Sequence, residues 1–107
     1  MPRTVEEGDN GQTIEVAIGD TVEVRLPETA STGFRWHVVS SGDPVCAIAA
    51  DTRVPPGSAK PGAPGVHQWR LEARKAGDGE FKLAYRRSWE SGDAGREFTI
   101  RLRVVPK

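Results

Sequence analysis

The sequence predicts an all-β protein, a sandwich of two antiparallel sheets with about seven to eight strands. Apolar and polar residues alternate with a period of two over several short stretches, as they do in half-buried strands. Glycine and proline are abundant, with 12 and 8 of the 107 residues, and they cluster between these stretches. No stretch has a convincing helical period, so strands and turns account for the chain.

The first half of the chain divides into an arm and three strands. Residues 1–12 carry several charges and no periodicity, which predicts a flexible N-terminal arm. Alternation over Ile14–Ile18, Thr21–Leu26 and Arg35–Val39 predicts three strands, each with one buried face. Residues 13–107 are predicted to form a single domain, because a chain of this length hardly provides two hydrophobic cores.

The middle of the chain is less regular. Val45–Val54 is mildly apolar and ambiguous, and a short strand is favoured over a single helical turn. Proline and glycine are so dense over Pro55–Gly65 that regular structure is excluded and a long exposed loop is expected. Gln68–Ala73 alternates as a strand, although its local propensity leans towards a helix.

The last third predicts two further strands. Gly77–Gly79 is a strong turn signal, and alternation over Phe81–Tyr85 predicts the strand that follows it. Arg87–Gly95 is a charged loop, and Glu97–Val104 has the cleanest alternation in the chain. Strands at this spacing favour an immunoglobulin-like sandwich, but the cysteine pair of antibody domains is absent.

Composition excludes several functions. Fifteen basic and fifteen acidic residues cancel, so the chain lacks the positive charge that nucleic-acid binding requires, and we expect a monomer. No apolar run approaches the ~20 residues of a membrane span, so no membrane partner is expected. The first seven residues lack a signal peptide, which predicts either a cytoplasmic protein or an exported one whose signal has been removed.

Residues that could support catalysis are few. Cys46 is the only cysteine, and His37 and His67 are the only histidines, without a carboxylate at metal-ligand spacing. We therefore expect no metal, no cofactor and no catalytic residue. A thiol enzyme built on Cys46 and a histidine is the alternative, although no motif surrounds Cys46.

Three loops are expected to gather at one end of the sandwich. The first, Thr29–Phe34, has small polar residues and a glycine, as binding loops on rigid scaffolds do. The second contains Gly62–Gly65, and the third contains Arg87–Trp89. Arginine and tryptophan are enriched at interface hot spots. Trp89 could instead fold back onto the core.

These loops resemble those of the chagasin-type (ICP) inhibitors of papain-like cysteine peptidases. That family has Asn-Pro-Thr-Thr-Gly-Tyr-x-Trp in its first loop, Gly-x-Gly-Gly in its second and Arg-Pro-Trp in its third. The counterparts here are Thr29–Trp36, Gly62–Gly65 and Arg87–Trp89, in the same order, with Tyr85 and Glu90 also matching. The resemblance extends over Thr13–Val105.

The resemblance implies a reversible, competitive inhibitor whose three loops enter the cleft of a papain-like cysteine peptidase. The residues implied to bind the peptidase are Thr29, Ala30, Ser31, Thr32, Gly33, Phe34, Gly62, Ala63, Pro64, Gly65, Arg87, Ser88 and Trp89. Two loop prolines of the family are absent here, since Ala30 and Ser88 replace them. That departure leaves a second hypothesis, a non-inhibitory interaction module whose loops bind another protein or a glycan.

Overall fold

A computed structural model describes residues 3–28, 34–54, 65–87 and 96–107 of the chain. These residues form eight strands and one short 3₁₀ helix. The elements are β1 (Arg3–Val5), the 3₁₀ helix (Glu7–Asp9), β2 (Thr13–Ala17), β3 (Thr21–Glu28), β4 (Phe34–Ser41), β5 (Cys46–Val54), β6 (Gly65–Ala73), β7 (Gly77–Arg87) and β8 (Arg96–Val105).

The strands form two four-stranded sheets. The first has the order β1-β3-β6-β5 and the second has the order β2-β8-β7-β4. The predicted all-β sandwich is confirmed. Four of the six strand pairs are antiparallel, but β1 lies parallel to β3, and β2 lies parallel to β8.

The core lies between the sheets and is built from alternate residues of each strand. In β3, Val22, Val24 and Leu26 are at most 1% exposed, and the residues between them face outwards. Trp69 of β6 and Phe81 of β7 meet at the centre, with ring centroids 6.0 Å apart in an edge-to-face arrangement. Each fully buried large side chain stabilises the fold by about 1.5–3 kcal/mol.

The beginning of the chain differs from the flexible arm that the sequence predicts. Arg3–Val5 add a strand to the first sheet, and Val5 is completely buried. Asn10 contacts the second sheet, where its Oδ1 accepts the backbone N–H of Thr99 at 2.9 Å. A three-residue strand is too short to produce a visible period, which is why alternation did not reveal it.

The turn predicted at Gly77–Gly79 was placed too late in the chain. Strand β7 already begins at Gly77, and the preceding bend covers residues 75–76. A Cβ on Gly79 would lie 3.0 Å from the carbonyl oxygen of Gly42, so this glycine allows two backbones to approach closely. The glycines in this segment therefore follow a bend, and one of them, Gly79, is also required for close packing of two strands.

The two uncertain segments are both strands. Val45–Val54 contains β5, and its pairing with β6 shifts register between Ile48 and Ala50. Gln68–Ala73 lies within β6, which is the neighbour of both β3 and β5. Pairing on both edges overrides the helical propensity of this segment. In the part of the chain that is described, no helix has the length and apolar character to cross a membrane.

Candidate functional site

The residues that border the three predicted loops lie at one end of the sandwich. Strands β3, β5 and β7 end there, and β4, β6 and β8 begin there. Two cross-strand pairs, Glu28–Gly65 and Phe34–Arg87, join the borders of different loops, and two others join the two borders of one loop. The pairs are Glu28–Gly65 and Val54–Val66 in the first sheet, and Phe34–Arg87 and Tyr85–Arg96 in the second.

Trp36 connects the two sheets at this end. Its backbone N–H donates to Oε2 of Glu28 at 2.9 Å, and its indole Nε1–H donates to the carbonyl oxygen of Pro27 at 3.0 Å. Trp36 lies on β4 in the second sheet, whereas Pro27 and Glu28 end β3 in the first. Two hydrogen bonds therefore close the base of the first loop.

Aromatic rings lie on the second sheet at the strand ends that border the first and third loops. Tyr85 stacks on Phe34 with ring centroids 5.5 Å apart, and it lies 4.7 Å from Trp36. The guanidinium of Arg96 lies 6.0 Å from the Trp36 ring and 5.9 Å from the Tyr85 ring. Because Arg96 is the first described residue after the third loop, these contacts hold that border against β4 and β7.

Charged side chains occupy the corresponding end of the first sheet. His67 lies between two carboxylates, with Nδ1 2.9 Å from Oε2 of Glu28 and Nε2 2.5 Å from Oδ1 of Asp51. Arg53 donates its Nε–H to Oε1 of Glu28 at 3.0 Å. Both Glu28 and His67 are buried, at 5% and 1% exposed. We call these four residues the carboxylate–histidine network.

The network keeps Glu28 ionised. Burial alone would raise the pKa of this carboxyl group. The hydrogen bonds from the Trp36 amide, His67 and Arg53 together outweigh burial and hold the pKa below its ordinary value of 4.5. Glu28 is therefore an acceptor whose two oxygens satisfy donors from three different strands.

Three of the predicted site residues are among those described. Phe34 begins β4, Gly65 begins β6 and Arg87 ends β7, all at the end of the sandwich defined above. The remaining predicted site residues lie outside the described residues, so their arrangement stays a prediction. They are Thr29, Ala30, Ser31, Thr32, Gly33, Gly62, Ala63, Pro64, Ser88 and Trp89.

Sequence reasoning did not identify Glu28 and His67 as residues that support the site. The signal was present in the alternation. Glu28 continues the buried series of Val24 and Leu26, and His67 begins the buried series of Trp69 and Leu71. Two polar residues at buried positions of neighbouring strands would have predicted a buried pair, because buried charges are rarely unpaired.

Cys46 lies far from this site and is not placed beside His67 as a catalytic thiol would be. It pairs with Ala73 at the opposite end of β5 and β6, and its thiol donates to the carbonyl oxygen of Ser41 at 3.4 Å. Ala73 and His67 are six positions apart on β6, which is about 20 Å of extended strand. The hypothesis of a thiol enzyme using Cys46 and His67 is therefore wrong.

Among the described residues, no group of three or more histidine, cysteine, aspartate or glutamate side chains is arranged to hold a metal ion. In the carboxylate–histidine network, both ring nitrogens of His67 already face carboxylate oxygens.

Comparison with known proteins identifies the family. Residues 15–104 match the chagasin family of peptidase inhibitors, I42. Chagasin from Trypanosoma cruzi is 32% identical over 110 residues, which cover 97% of this chain and 99% of chagasin.

Two solved structures resemble the described fold. The cysteine protease inhibitor EhICP2 from Entamoeba histolytica superposes with a TM-score of 0.86 at 25% identity, covering 97% of this chain and 96% of that one. PbICP-C, solved in complex with falcipain-2, superposes with a TM-score of 0.69 at 15% identity, covering 98% and 99% of the two chains. This second likeness concerns the fold alone. The chain belongs to the chagasin family of peptidase inhibitors, and it is an inhibitor rather than an enzyme.

Proposed function

We propose that this protein is a reversible, competitive inhibitor of papain-like cysteine peptidases and that it binds the active-site cleft through three loops. The observation that carries the proposal is the convergence of the loop borders. Glu28, Phe34 and Gly65 lie at the same end of the sandwich as Arg87 and Arg96. Loops that leave a rigid scaffold from one end can contact one partner together.

The rigid borders explain why such loops can bind without a large ordering cost. Hydrogen bonds from Trp36 to Pro27 and Glu28 fix the spacing of the first loop's ends. The stacked rings of Phe34 and Tyr85 hold the start of β4, where the first loop ends, against β7, the strand that leads to the third loop. Preorganised ends reduce the conformational entropy that binding removes, and affinity rises accordingly.

Each loop has a separate proposed role. Thr32 and Gly33 approach the catalytic thiol and imidazole of the peptidase, and the first loop presents no scissile carbonyl in attack geometry. The second loop, Gly62–Gly65, contacts one wall of the cleft. Trp89 supplies an aromatic contact to the other wall, and Arg87 supplies a charge-assisted hydrogen bond.

The test is a titration of papain and cathepsin L activity against a fluorogenic peptide. Competitive inhibition at nanomolar to low micromolar concentrations is the expected result. Trp89→Ala should raise the inhibition constant about 30-fold, as loss of a hot-spot residue does. Thr32→Asp should weaken inhibition as well, because it places a charge in the cleft.

The matched control is Thr13→Asp, which makes the same chemical change at an exposed position of β2. It should leave inhibition unchanged. Wild-type inhibition constants in both loop variants would contradict the proposed site. A folded wild-type protein that leaves both peptidases fully active would favour the interaction-module hypothesis instead.

A further inference from the structure

The carboxylate–histidine network joins the borders of two different loops. Glu28 is the last described residue before the first loop, and it also binds the amide of Trp36 beyond that loop. Asp51 and Arg53 precede the second loop on β5, and His67 follows it on β6. One cluster of charges, buried at Glu28 and His67 and half-exposed at Asp51 and Arg53, therefore joins four strand ends.

The geometry determines the charge on His67. An ionised carboxylate only accepts hydrogen bonds, and both ring nitrogens face carboxylate oxygens, at 2.9 Å from Glu28 and 2.5 Å from Asp51. Both nitrogens must then carry a proton, which only the imidazolium does. Its ring also stacks on Trp69, with centroids 3.8 Å apart and planes 18° apart, and this aromatic face favours a cation.

Charge balance supports the same assignment. Among the described residues, the charged groups that face His67 or its partner carboxylates are Glu28 from β3 and Asp51 and Arg53 from β5. The other neighbours, the Trp36 amide from β4 and the Trp69 ring from β6, are uncharged. With an imidazolium, two positive charges balance two negative ones. With a neutral ring, the buried carboxylate of Glu28 loses the imidazolium as a cationic partner. Such a loss costs free energy, because water is excluded from a buried charge and cannot replace the partner.

We infer that His67 is a positioning residue, held as an imidazolium between Glu28 and Asp51, and that its positive charge fixes the strand ends from which the peptidase-binding loops leave. This inference rests on the proposed function. A neutral ring would direct a lone pair at one of the two carboxylates, and that contact would be lost. Either β5 would separate from His67, or Glu28 would move and weaken its hold on Trp36. Inhibition would then be weaker when His67 is uncharged.

The first measurement is NMR of the free protein from about pH 5 to about pH 9, the range in which histidines titrate. We expect the two ring ¹⁵N resonances of His67 to have the nearly equal shifts of an imidazolium at the acidic end. The amide of Trp36 should shift over the same pH range in which His67 loses its proton. This measurement needs no peptidase and no variant, so it decides the charge state even if a substitution at His67 prevents folding.

The second measurement is the ratio of the inhibition constants of His67→Gln and wild type at each pH. The ratio cancels the pH dependence of the peptidase itself. We expect a ratio of roughly ten where wild-type His67 is charged and a fall towards one as it is discharged. The matched control is His37→Gln on β4, since the Nε2 of His37 has no partner among the described residues. This control should keep the wild-type pH profile.

A neutral His67 at about pH 5, or a ratio that stays constant across the whole range, would overturn the inference. Failure of the proposed function gives a different result, because wild type would then inhibit neither papain nor cathepsin L at any pH. In that case the NMR titration alone decides the role of His67. A Trp36 amide that moves with His67 would support it, and one that does not move would overturn it.

Discussion

The carboxylate of Glu28 and the backbone amide of Trp36, eight residues apart and in different sheets, are joined by a buried hydrogen bond of 2.9 Å. A contact of this kind usually belongs to a capped turn, in which a short side chain satisfies a nearby amide. Here it spans the gap between two sheets. The ends of the first loop are consequently held at a fixed separation.

Glu28→Gln should reduce the free energy of unfolding by about 1–3 kcal/mol at pH 7, because it removes a buried charge that binds three donors. The sign of the pH dependence follows from the lowered pKa of Glu28. The contribution of Glu28 is fully present above the unfolded value of 4.5 and is lost as the pH falls through the folded pKa. Urea denaturation from about pH 7 to about pH 3 should therefore show the difference between variant and wild type decreasing.

The control for this prediction is Glu15→Gln at an exposed position of β2. Its free energy of unfolding should stay within about 0.5 kcal/mol of wild type. A deficit in Glu28→Gln that is the same at acidic and neutral pH would show that shape, and not charge, is what the network needs.

Cys46 should be unreactive in the folded protein. Burial, aided by the negative charge of Asp43, raises the pKa of its thiol, and the side chain is completely buried. Labelling with a thiol reagent at pH 8 should be slow for native protein and rapid in guanidinium. Cys46→Ala should leave the inhibition constant unchanged. Rapid native labelling that abolishes inhibition would mean that the thiol contributes to binding.

Gly42→Ala should destabilise the fold by about 1–3 kcal/mol. Gly42 has a φ of +85°, and an added Cβ would overlap the sulfur of Cys46. Gly8→Ala is the matched control, since nothing lies within 4 Å of its Cβ position. The double variant Gly42→Ala with Cys46→Ala should recover the part of the loss due to overlap and keep the part due to φ. Equal losses in all three variants would contradict this reasoning.

Arg35→Glu should stabilise the protein by about 0.2–1 kcal/mol. Arg35 lies directly opposite Arg86 on the neighbouring strand, and the Nε of Arg86 is a buried donor without a partner among the described residues. Opposite charges would replace like charges at this pair. Thermal unfolding at low salt measures the change, which should decrease as salt is added.

Arg101→Glu is a control for which the opposite change in stability is expected. Arg101 lies opposite Glu80, so this variant creates a pair of like charges. It should be destabilised by a similar amount. If both arginine variants shift stability in the same direction, cross-strand charge pairing does not explain either result.

The sandwich could be predicted from alternation because most strands have one buried and one exposed face. Alternation over Thr21–Leu26 and over Glu97–Val104 located β3 and β8, with ends off by one or two residues. It failed for Arg3–Val5, which are too few to show a period, and it misread Gly77–Gly79, because a glycine permits close packing as readily as a turn. Whether Arg3–Val5 and Gly77–Gly79 belong to strands depends on their pairing with a neighbouring strand. That pairing depends on residues distant in the chain.

The strand ends that border the candidate site were predicted better than the side-chain contacts that hold them together. Loop composition indicated where β3 and β7 end, because small and polar residues interrupt the strands there. The partners of Glu28 were not predicted, since Arg53 and His67 are distant from it in sequence and are adjacent only through the pairing of three strands. Local patterns carry no information about which strands are neighbours.

The parallel pairing of β2 with β8 has a consequence for how the chain folds. Thr13 is paired with Arg101, so β2 cannot complete its pairing until β8, which is synthesised much later, is available. Closing so long a loop costs entropy before any contact rewards it, and proteins dominated by such pairings fold in milliseconds to seconds. During translation the second sheet lacks its β8 strand, and an edge of β7 is exposed on the ribosome until residues 96–105 emerge.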